Sequence, residues 1–515
     1  MLETRPPLTK ILATLGPASE DPKILARLVE AGARNFRLNF SHGNFDDHAK
    51  RLNAVRQVES DMGIALTVLG DLPGPKIRIG TVPAPGIELV PGQDVWISAT
   101  ATESRPPTPS GDWAVLSCTY PDIAKEVLGG HRVLINDGAV RMLAVDSYGT
   151  RILCRVTVGG LVTSKKGLNL PDSNLSVPAV TERDIECALW GLEHGVDYLA
   201  LSFVRRGDDV RQLAEVIIDA DVGRDGVLYD PTPDTALPLR GVPIIAKIET
   251  PQAVANIDDI LLVADGIMVA RGDLGVELDL AQVPVVQKRL VERAHDYGKP
   301  CIVATQMLES MIEHASATRA EVSDVANAIL DGADAVMLSG ETAVGKYPLL
   351  AVDTMRRVAL ATEDWIRSRP TEERPPALLR EQKAAVPALA HGAWVMYHDT
   401  GATVVTVWSQ TGGTARSLSR NGFRVPILAY STDERAVRRM NLLYAVFPFW
   451  RERFPVHRFE FAQMVDRSVL EGHWASRGDT MILLAGFPFN KPGGANTVAI
   501  RRVGDLTPDH VEGDG

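Results

Sequence analysis

Eight apolar, β-branched-rich runs recur along the chain, each stopping at glycine or polar residues. They are KILATLG from Lys10, NFRLNFSHG from Asn35, ALTVLGDLPG from Ala65, VDYLALSFV from Val196, VPIIAKIE from Val242, DGIMVARGDL from Asp265, PCIVATQM from Pro300 and DAVMLSGET from Asp334. Runs of this kind suit parallel strands covered on both faces, and most are followed by a helical pattern. Ile24, Leu25, Leu28 and Val29 form one such helical stripe, and TRAEVSDVANAILDG opens on Thr318 with Glu321 three residues on, the pattern of a capping box. Eight strand–helix units are the count of a closed (β/α)8 barrel, the TIM architecture, in which the C-terminal strand ends gather at one mouth.

The chemistry of the chain is concentrated at those ends. In the stretch Val242 to Leu278, the apolar run stops at Lys247 and Glu249, which lie i, i+2 and so share a face. The next run ends in Arg271, Gly272 and Asp273, placing a second carboxylate where it can meet Glu249. The other strand ends contribute Arg37, Asn39, Ser41, His42, Asp71, Thr305, Ser339 and Glu341. A Lys247–Glu249 pair alone would read as a structural ion pair, but Asp273 beside it leaves negative charge that wants a cation. Two neighbouring carboxylates suit Mg²⁺, which takes few protein ligands, and a fixed lysine and arginine suit a phosphoryl group. On these residues alone a metal-dependent aldolase or lyase working through a pyruvate enolate, or a Schiff base on Lys247, stays open.

At 515 residues the chain exceeds one core. From about Lys76 to Val177 the barrel grammar lapses into short alternating strands with Gly and Pro turns, so an inserted all-β domain, a small β-barrel over 76–177, is expected. A polar, Pro-rich stretch from Asp221 to Leu239 reads as a surface loop. Residues 1–75 and 178–368 then make the barrel. Beyond a Pro/Arg/Glu-rich linker from Arg369 to Pro376, the runs TVVTVWSQ, VPILAYS and TMILLAGFP predict a C-terminal α/β domain over 377–515 with a frayed tail. The formal net charge of -11, with no basic run, excludes a nucleic-acid-binding body. No apolar run approaches the ~20 residues of a membrane span, and MLETRPPLTKILATLG lacks the features of a targeting segment, so a cytoplasmic location is expected. Cys118, Cys154, Cys187 and Cys301 stand apart, as reduced structural thiols do.

With these residues in view, the chain resembles pyruvate kinase. The motifs TKILATLGPAS from Thr9, FRLNFSHG from Phe36, GPKIRIG from Gly74, SKKGLNLP from Ser164, IIAKIET from Ile244, MVARGDLGVE from Met268, ATQMLESM from Ala304 and TRAEVSDVANAILDGADAVMLSGETAVGKYP from Thr318 are similar to that family's and stand in its order. The resemblance implies phosphoryl transfer from phosphoenolpyruvate to ADP, giving pyruvate and ATP. It implies Glu249 and Asp273 as ligands of Mg²⁺ or Mn²⁺, Lys247 as the charge on the phosphoryl group in flight, and Arg37 on the substrate phosphate. Gly272, Asp273 and Thr305 fall among its substrate contacts, with Thr305 near the face where the enolate is protonated. Asn39, His42, Arg78 and Lys166 match nucleotide contacts, Lys166 reaching over from the insertion as a lid that excludes water.

One departure is informative. Asn39, Ser41, Asp71 and the carbonyl of Leu72 match the family's monovalent-cation shell, but Lys76 stands where potassium-dependent members carry Glu, so turnover largely independent of K⁺ is expected. In the C-terminal domain Ser409, Gln410, Thr411, Gly412, Gly413, Thr414 and Ala415 resemble the family's loop for a phosphorylated effector, with Ser409, Thr411, Gly412 and Thr414 the expected contacts. A homotetramer is what the resemblance implies for assembly.

Overall fold

The structure is a computed structural model that describes residues 6–505 apart from 109, 222–240, 371, 372, 374, 382, 488 and 490–494. The expected Pro-rich loop from Asp221 to Leu239 and the C-terminal tail beyond Asp505 therefore lie outside the described residues, save Asp221, which ends a helix.

The eight apolar runs form the eight strands of one closed parallel barrel. In chain order they are Lys10–Thr14, Asn35–Asn39, Thr67–Asp71, Tyr198–Leu201, Ile244–Ile248, Gly266–Ala270, Cys301–Ala304 and Ala335–Leu338. Each pairs with the next, and the eighth returns to the first through Lys10 and Ala335. The inward set includes Leu12, Leu69, Ile245, Met268 and Met337, so the barrel is a packed core. Lys247 lies inside its strand and Glu249 just past it; the next strand stops at Ala270, and Arg271–Glu277 turns at once into a helix. Asp273 thus sits in the first helical turn, one step beyond the strand end expected for it. Helices start and stop where their caps dictate. Thr318 and Glu321 form the capping box of Arg319–Asp331, and Gly332 ends that helix in a left-handed conformation at φ 102°.

The base of the barrel is closed by aspartates that directly precede strands. Asp197, Asp265 and Asp334 accept the backbone N–H of Val68, Ile244 and Cys301 on the neighbouring strand at 2.7, 2.7 and 2.8 Å. A strand's leading N–H has no ladder partner at that end, and the carboxylate supplies one. Glu363 does the same for Leu8 and Thr9. The C-terminal domain docks on this base: Leu442 joins the barrel's inner cluster, and Arg420 pairs with Asp334.

Within 76–177 the described strands make a six-stranded and a two-stranded sheet around one apolar core, joined by single bridges such as Arg78 to Gly167 and Ile79 to Cys118. The C-terminal sheet has five strands, in the order Val446–Trp450, Ile427–Ser431, Val404–Trp408, Thr480–Ala485 and an antiparallel Thr497–Arg502. Its two edge strands escape the sequence reading: Val446–Trp450 holds Pro448 and leads into charged residues, and Thr497–Arg502 is half exposed. Among the described residues no helix is long and apolar enough to cross a membrane.

Candidate active site

Lys247 is the centre of the barrel mouth. Its Nζ lies 2.9 Å from Glu249 Oε1 and 3.3 Å from Asp71 Oδ1, and donates to Ser202 Oγ at 2.8 Å. Burial works against this ammonium, but Asp71 and Glu249 outweigh it and hold its pKa above the ordinary lysine value. Burial likewise opposes the Asp71 carboxylate, and Lys247 with Arg37 overcomes it, so Asp71 stays ionised below the usual range. Glu249 differs. Burial, reinforced by Asp273, drives its carboxyl upward against the pull of Lys247. Burial thus leaves the Glu249 carboxylate less well compensated than that of Asp71.

Arg37 rises from strand two, with Nε 2.6 Å from Asp71 Oδ2 and Nη1 3.2 Å from Thr14 Oγ1. Thr14 in turn donates to Leu338 O at 2.8 Å, which ties the arginine to the eighth strand. Opposite, Thr305 and Gln306 bend the chain at φ 68° and 56°, a left-handed conformation that non-glycine residues adopt only under constraint. The constraint is Arg271, which points away from the mouth and donates to Thr305 O at 3.0 Å and Gln306 O at 3.3 Å while pairing with Asp324 at 2.7 Å. The bend presents Thr305 Oγ1 to the N–H of Gly272 at 2.7 Å. Glu341, gathered from sequence with the strand-end residues, is absorbed by the N–H groups of Leu308 and Ser339 and takes no part in the mouth.

The residues expected around a monovalent cation are already engaged. Lys76, exposed, donates to Ser41 Oγ at 2.9 Å; Ser202 Oγ donates to Leu72 O at 2.7 Å; Asn39 Oδ1 accepts from Ser41 N at 3.1 Å. His42 stands at the edge of this group, its pKa lowered by partial desolvation and then by Lys76, Arg37 and Arg78. Between the insertion and the barrel is a cavity of about 500 Å³ lined by Lys76, Arg78, Lys166, Asn169, Asp273 and Glu277 among others. A larger cleft, about 2130 Å³, lies at the opposite end of the barrel and touches none of the mouth residues. Ser409 caps the short helix Gly413–Ser419 through Ala415 N at 3.1 Å, far along the chain from the mouth.

Sequence reasoning passed over Ser202, Phe203, Arg271 and Glu277. Ser202 and Phe203 directly follow strand four in LSFV and could have been taken by the strand-end rule that found the others. Phe203 contributes its backbone, donating its N–H to Glu249 Oε2 at 2.6 Å.

Among the described residues no three or more His, Cys, Asp and Glu side chains gather into a metal cage. Glu249 and Asp273 nonetheless fit a hard divalent cation. Glu249 Oε1 is buried and meets Lys247 as an ion pair without hydrogen-bond geometry, so its lone pairs are uncommitted. Asp273 sits at the head of its helix beside Gly272. All-oxygen ligation with few protein donors is what Mg²⁺ accepts.

A barrel mouth holding one buried lysine, an arginine and buried carboxylates, beside a cavity lined by basic residues under a β-rich insertion, suits a phosphotransferase. Comparison with known proteins narrows the class. The family description "Pyruvate kinase, barrel domain" matches residues 7–229 and 232–352, and "Pyruvate kinase, alpha/beta domain" matches 387–501. The chain is 40% identical over 500 residues to a pyruvate kinase of Mycobacterium tuberculosis, covering 96% of this chain and 98% of that one. It is 38% identical over 500 residues to that of Corynebacterium glutamicum, covering 97% and 98%. A crystal structure of a pyruvate kinase from Cryptosporidium parvum superposes with a TM-score of 0.84 at 31% identity, covering 96% of each chain. The chain belongs to the pyruvate kinase family, phosphotransferases that pass the phosphoryl group of phosphoenolpyruvate to ADP and yield pyruvate and ATP.

Proposed function

We propose that this transfer runs at the Lys247 mouth with the following division of labour. Arg37 binds the substrate phosphate and Lys247 neutralises the phosphoryl group as it moves. Gly272 and Asp273 border the substrate, and Thr305 lies on the face where the enolate takes up its proton. Asn39, His42, Arg78 and Lys166 hold the nucleotide, and the insertion carrying Arg78 and Lys166 closes over it to keep water out. Glu249 and Asp273 would hold Mg²⁺ or Mn²⁺, which when bound supplies positive charge to the reacting oxygens. The observation that carries this reading is the buried Glu249, 2.9 Å from Lys247, whose carboxyl burial drives upward and whose Oε1 has no hydrogen bond among the described residues.

Potassium is proposed to be dispensable. The ammonium of Lys76 on Ser41 Oγ supplies a positive charge in the shell, and the Leu72 carbonyl is already taken by Ser202. A coupled assay for ATP formation from phosphoenolpyruvate and ADP with Mg²⁺, run in tetramethylammonium buffer with and without KCl, tests both parts. Turnover should need both substrates and change less than about twofold with KCl, whereas Lys76→Glu should gain activation on the order of tenfold. Strong activation of the unaltered chain by KCl would overturn the Lys76 reading and leave the reaction standing.

The remaining assignments belong to the same reading. The catalytic barrel spans 1–75 and 178–368, the lid 76–177 and a regulatory domain 377–515. Ser409, Thr411, Gly412 and Thr414 take a phosphorylated effector; Gly412, at φ 89°, turns the chain into the helix that follows. The enzyme works as a cytoplasmic homotetramer.

A further inference from the structure

Among the described residues, the lid meets the helix Arg271–Glu277 at one hydrogen bond inside the cavity. Asn169 Nδ2 donates to Glu277 Oε1 at 2.8 Å, across 108 residues of sequence. Both partners are mounted on parts that carry proposed ligand contacts. Glu277 is the last residue of the helix Arg271–Glu277, whose first turn holds Gly272 and Asp273. Asn169 ends the arm Lys166–Asn169, with Lys166 three residues back. That arm is held within the lid: Leu168 and Asn169 pair with Ile135 and Leu134, Gly167 O accepts from Asn136 N at 3.1 Å, and Lys166 O accepts from Ile79 N at 2.8 Å. Three extended residues span about 10 Å, so fixing Asn169 fixes the base from which Lys166 reaches.

Glu277 is an expensive residue to place there. It is buried, and the amide of Asn169 is its hydrogen-bond partner among the described residues. Burial pushes its carboxyl up to about 7, against the hydrogen bond from Asn169 and the pull of Arg132, with Asp172 and Glu249 adding to the rise. An apolar residue would pack the same spot more favourably, and structure alone gives no reason for the acid. The lid is also held to the barrel by Lys76 on Ser41 Oγ at 2.9 Å, by Gln252, which donates to Pro171 O at 3.3 Å and Ser173 O at 3.5 Å, and by Arg205, which donates to Leu175 O at 2.5 Å and Val177 O at 2.8 Å. Among the described residues, Asn169 carries the hydrogen bond from the lid to the helix Arg271–Glu277.

We propose that Glu277 and Asn169 form a latch that sets the closed position of the lid, making Glu277 a positioning residue for the nucleotide and not for phosphoenolpyruvate. The inference rests on the nucleotide reading of Arg78 and Lys166, and the test separates the two. Steady-state kinetics in both substrates are measured for Asn169→Ala, Glu277→Ala, their double variant, Glu277→Gln, Asn169→Asp and the swap Asn169→Asp with Glu277→Gln. Asn169→Ala and Glu277→Ala should each raise KM for ADP about tenfold and leave KM for phosphoenolpyruvate within about twofold, with the double variant no worse than either single one. Glu277→Gln still accepts from Asn169 and should stay near the unaltered enzyme. Asn169→Asp sets two carboxylates together and should be at least as impaired as Asn169→Ala, and the swap, in which the glutamine amide donates to the aspartate, should recover it. Equal rises in both KM values, additive effects, or no rescue by the swap would overturn the latch. Lys166→Met serves as the control. If it leaves KM for ADP unmoved, the nucleotide reading of the lid fails; if it raises KM for ADP while the latch variants do not, the latch alone fails.

Discussion

The two ends of the barrel both bury ions, and they finish them differently. At the base, Asp334 accepts from Cys301 N at 2.8 Å and Tyr444 N at 3.2 Å, and both its oxygens meet the Arg420 guanidinium. Asp197 is closed by Val68 N and by Arg56 at 2.9 Å. At the mouth, Asp71 is similarly enclosed by Arg37 and Lys247, but Glu249 keeps an oxygen without a hydrogen bond and its carboxyl is driven upward. Buried charge that is fully partnered holds parts together. Buried charge left incomplete is stabilised when something binds; at the base the unbonded Arg420 Nε belongs to a cation already paired with Asp334, whereas at the mouth the unbonded oxygen belongs to the carboxylate that burial drives upward.

The sharpest way to break this comparison is to remove one cation from each end. Lys247→Met should lower kcat on the order of 10³-fold, because it deletes the charge aimed at the moving phosphoryl group. Arg420→Leu, at the base, should instead lower the free energy of urea unfolding by about 3 kcal/mol, since Asp334 keeps its two backbone donors but loses its counter-charge. Its kcat per folded molecule should stay within about twofold of the unaltered enzyme. Measured together, these two variants separate the ends. If Arg420→Leu costs turnover as heavily as Lys247→Met, the base is part of the catalytic apparatus and the distinction falls.

How far each end can be read from sequence follows from the same difference. Period-two alternation shows which residues face inward, so Lys247 and Glu249 were legible from the run that ends in KIET, and the capping box at Thr318 and Glu321 from local rules. Arg37, Thr305 and Lys166 needed the family's motifs to acquire a role. Periodicity says nothing about partners far along the chain. Asn169 finds Glu277 across 108 residues and Arg420 finds Asp334 across 86, and no local pattern announces either. Arg271 shows the converse limit: it sits in the most distinctive motif of the chain yet turns away to clamp Thr305 and Gln306. Glu341 has a strand-end address and a purely structural set of partners. Strand position narrows the candidates, and only their contacts decide which are left incomplete.

Lys10 sharpens the comparison from the other side, because it is a base residue that no carboxylate among the described residues contacts. Its Nζ donates to Val446 O at 2.6 Å and lies 3.8 Å over the Phe447 ring. Burial lowers its pKa from 10.5 to about 7, with Glu363 opposing and Arg34 assisting. The base thus completes its charges in two ways, by pairing or by discharge. The sign follows from linkage. Between about 7 and 10.5 the unfolded chain holds this proton and the folded one does not, so folded stability rises with pH through that window and loses the contribution as pH falls toward 7. Lys10→Met removes the linkage and keeps an apolar stem of similar length. The unfolding free energy of the unaltered protein relative to Lys10→Met should therefore climb with pH across the window, by at most about 1.4 kcal/mol per pH unit, and be flat below it. A difference that instead stays flat across the window would mean that Lys10 remains charged when folded, and that the base tolerates the same incompleteness as the mouth.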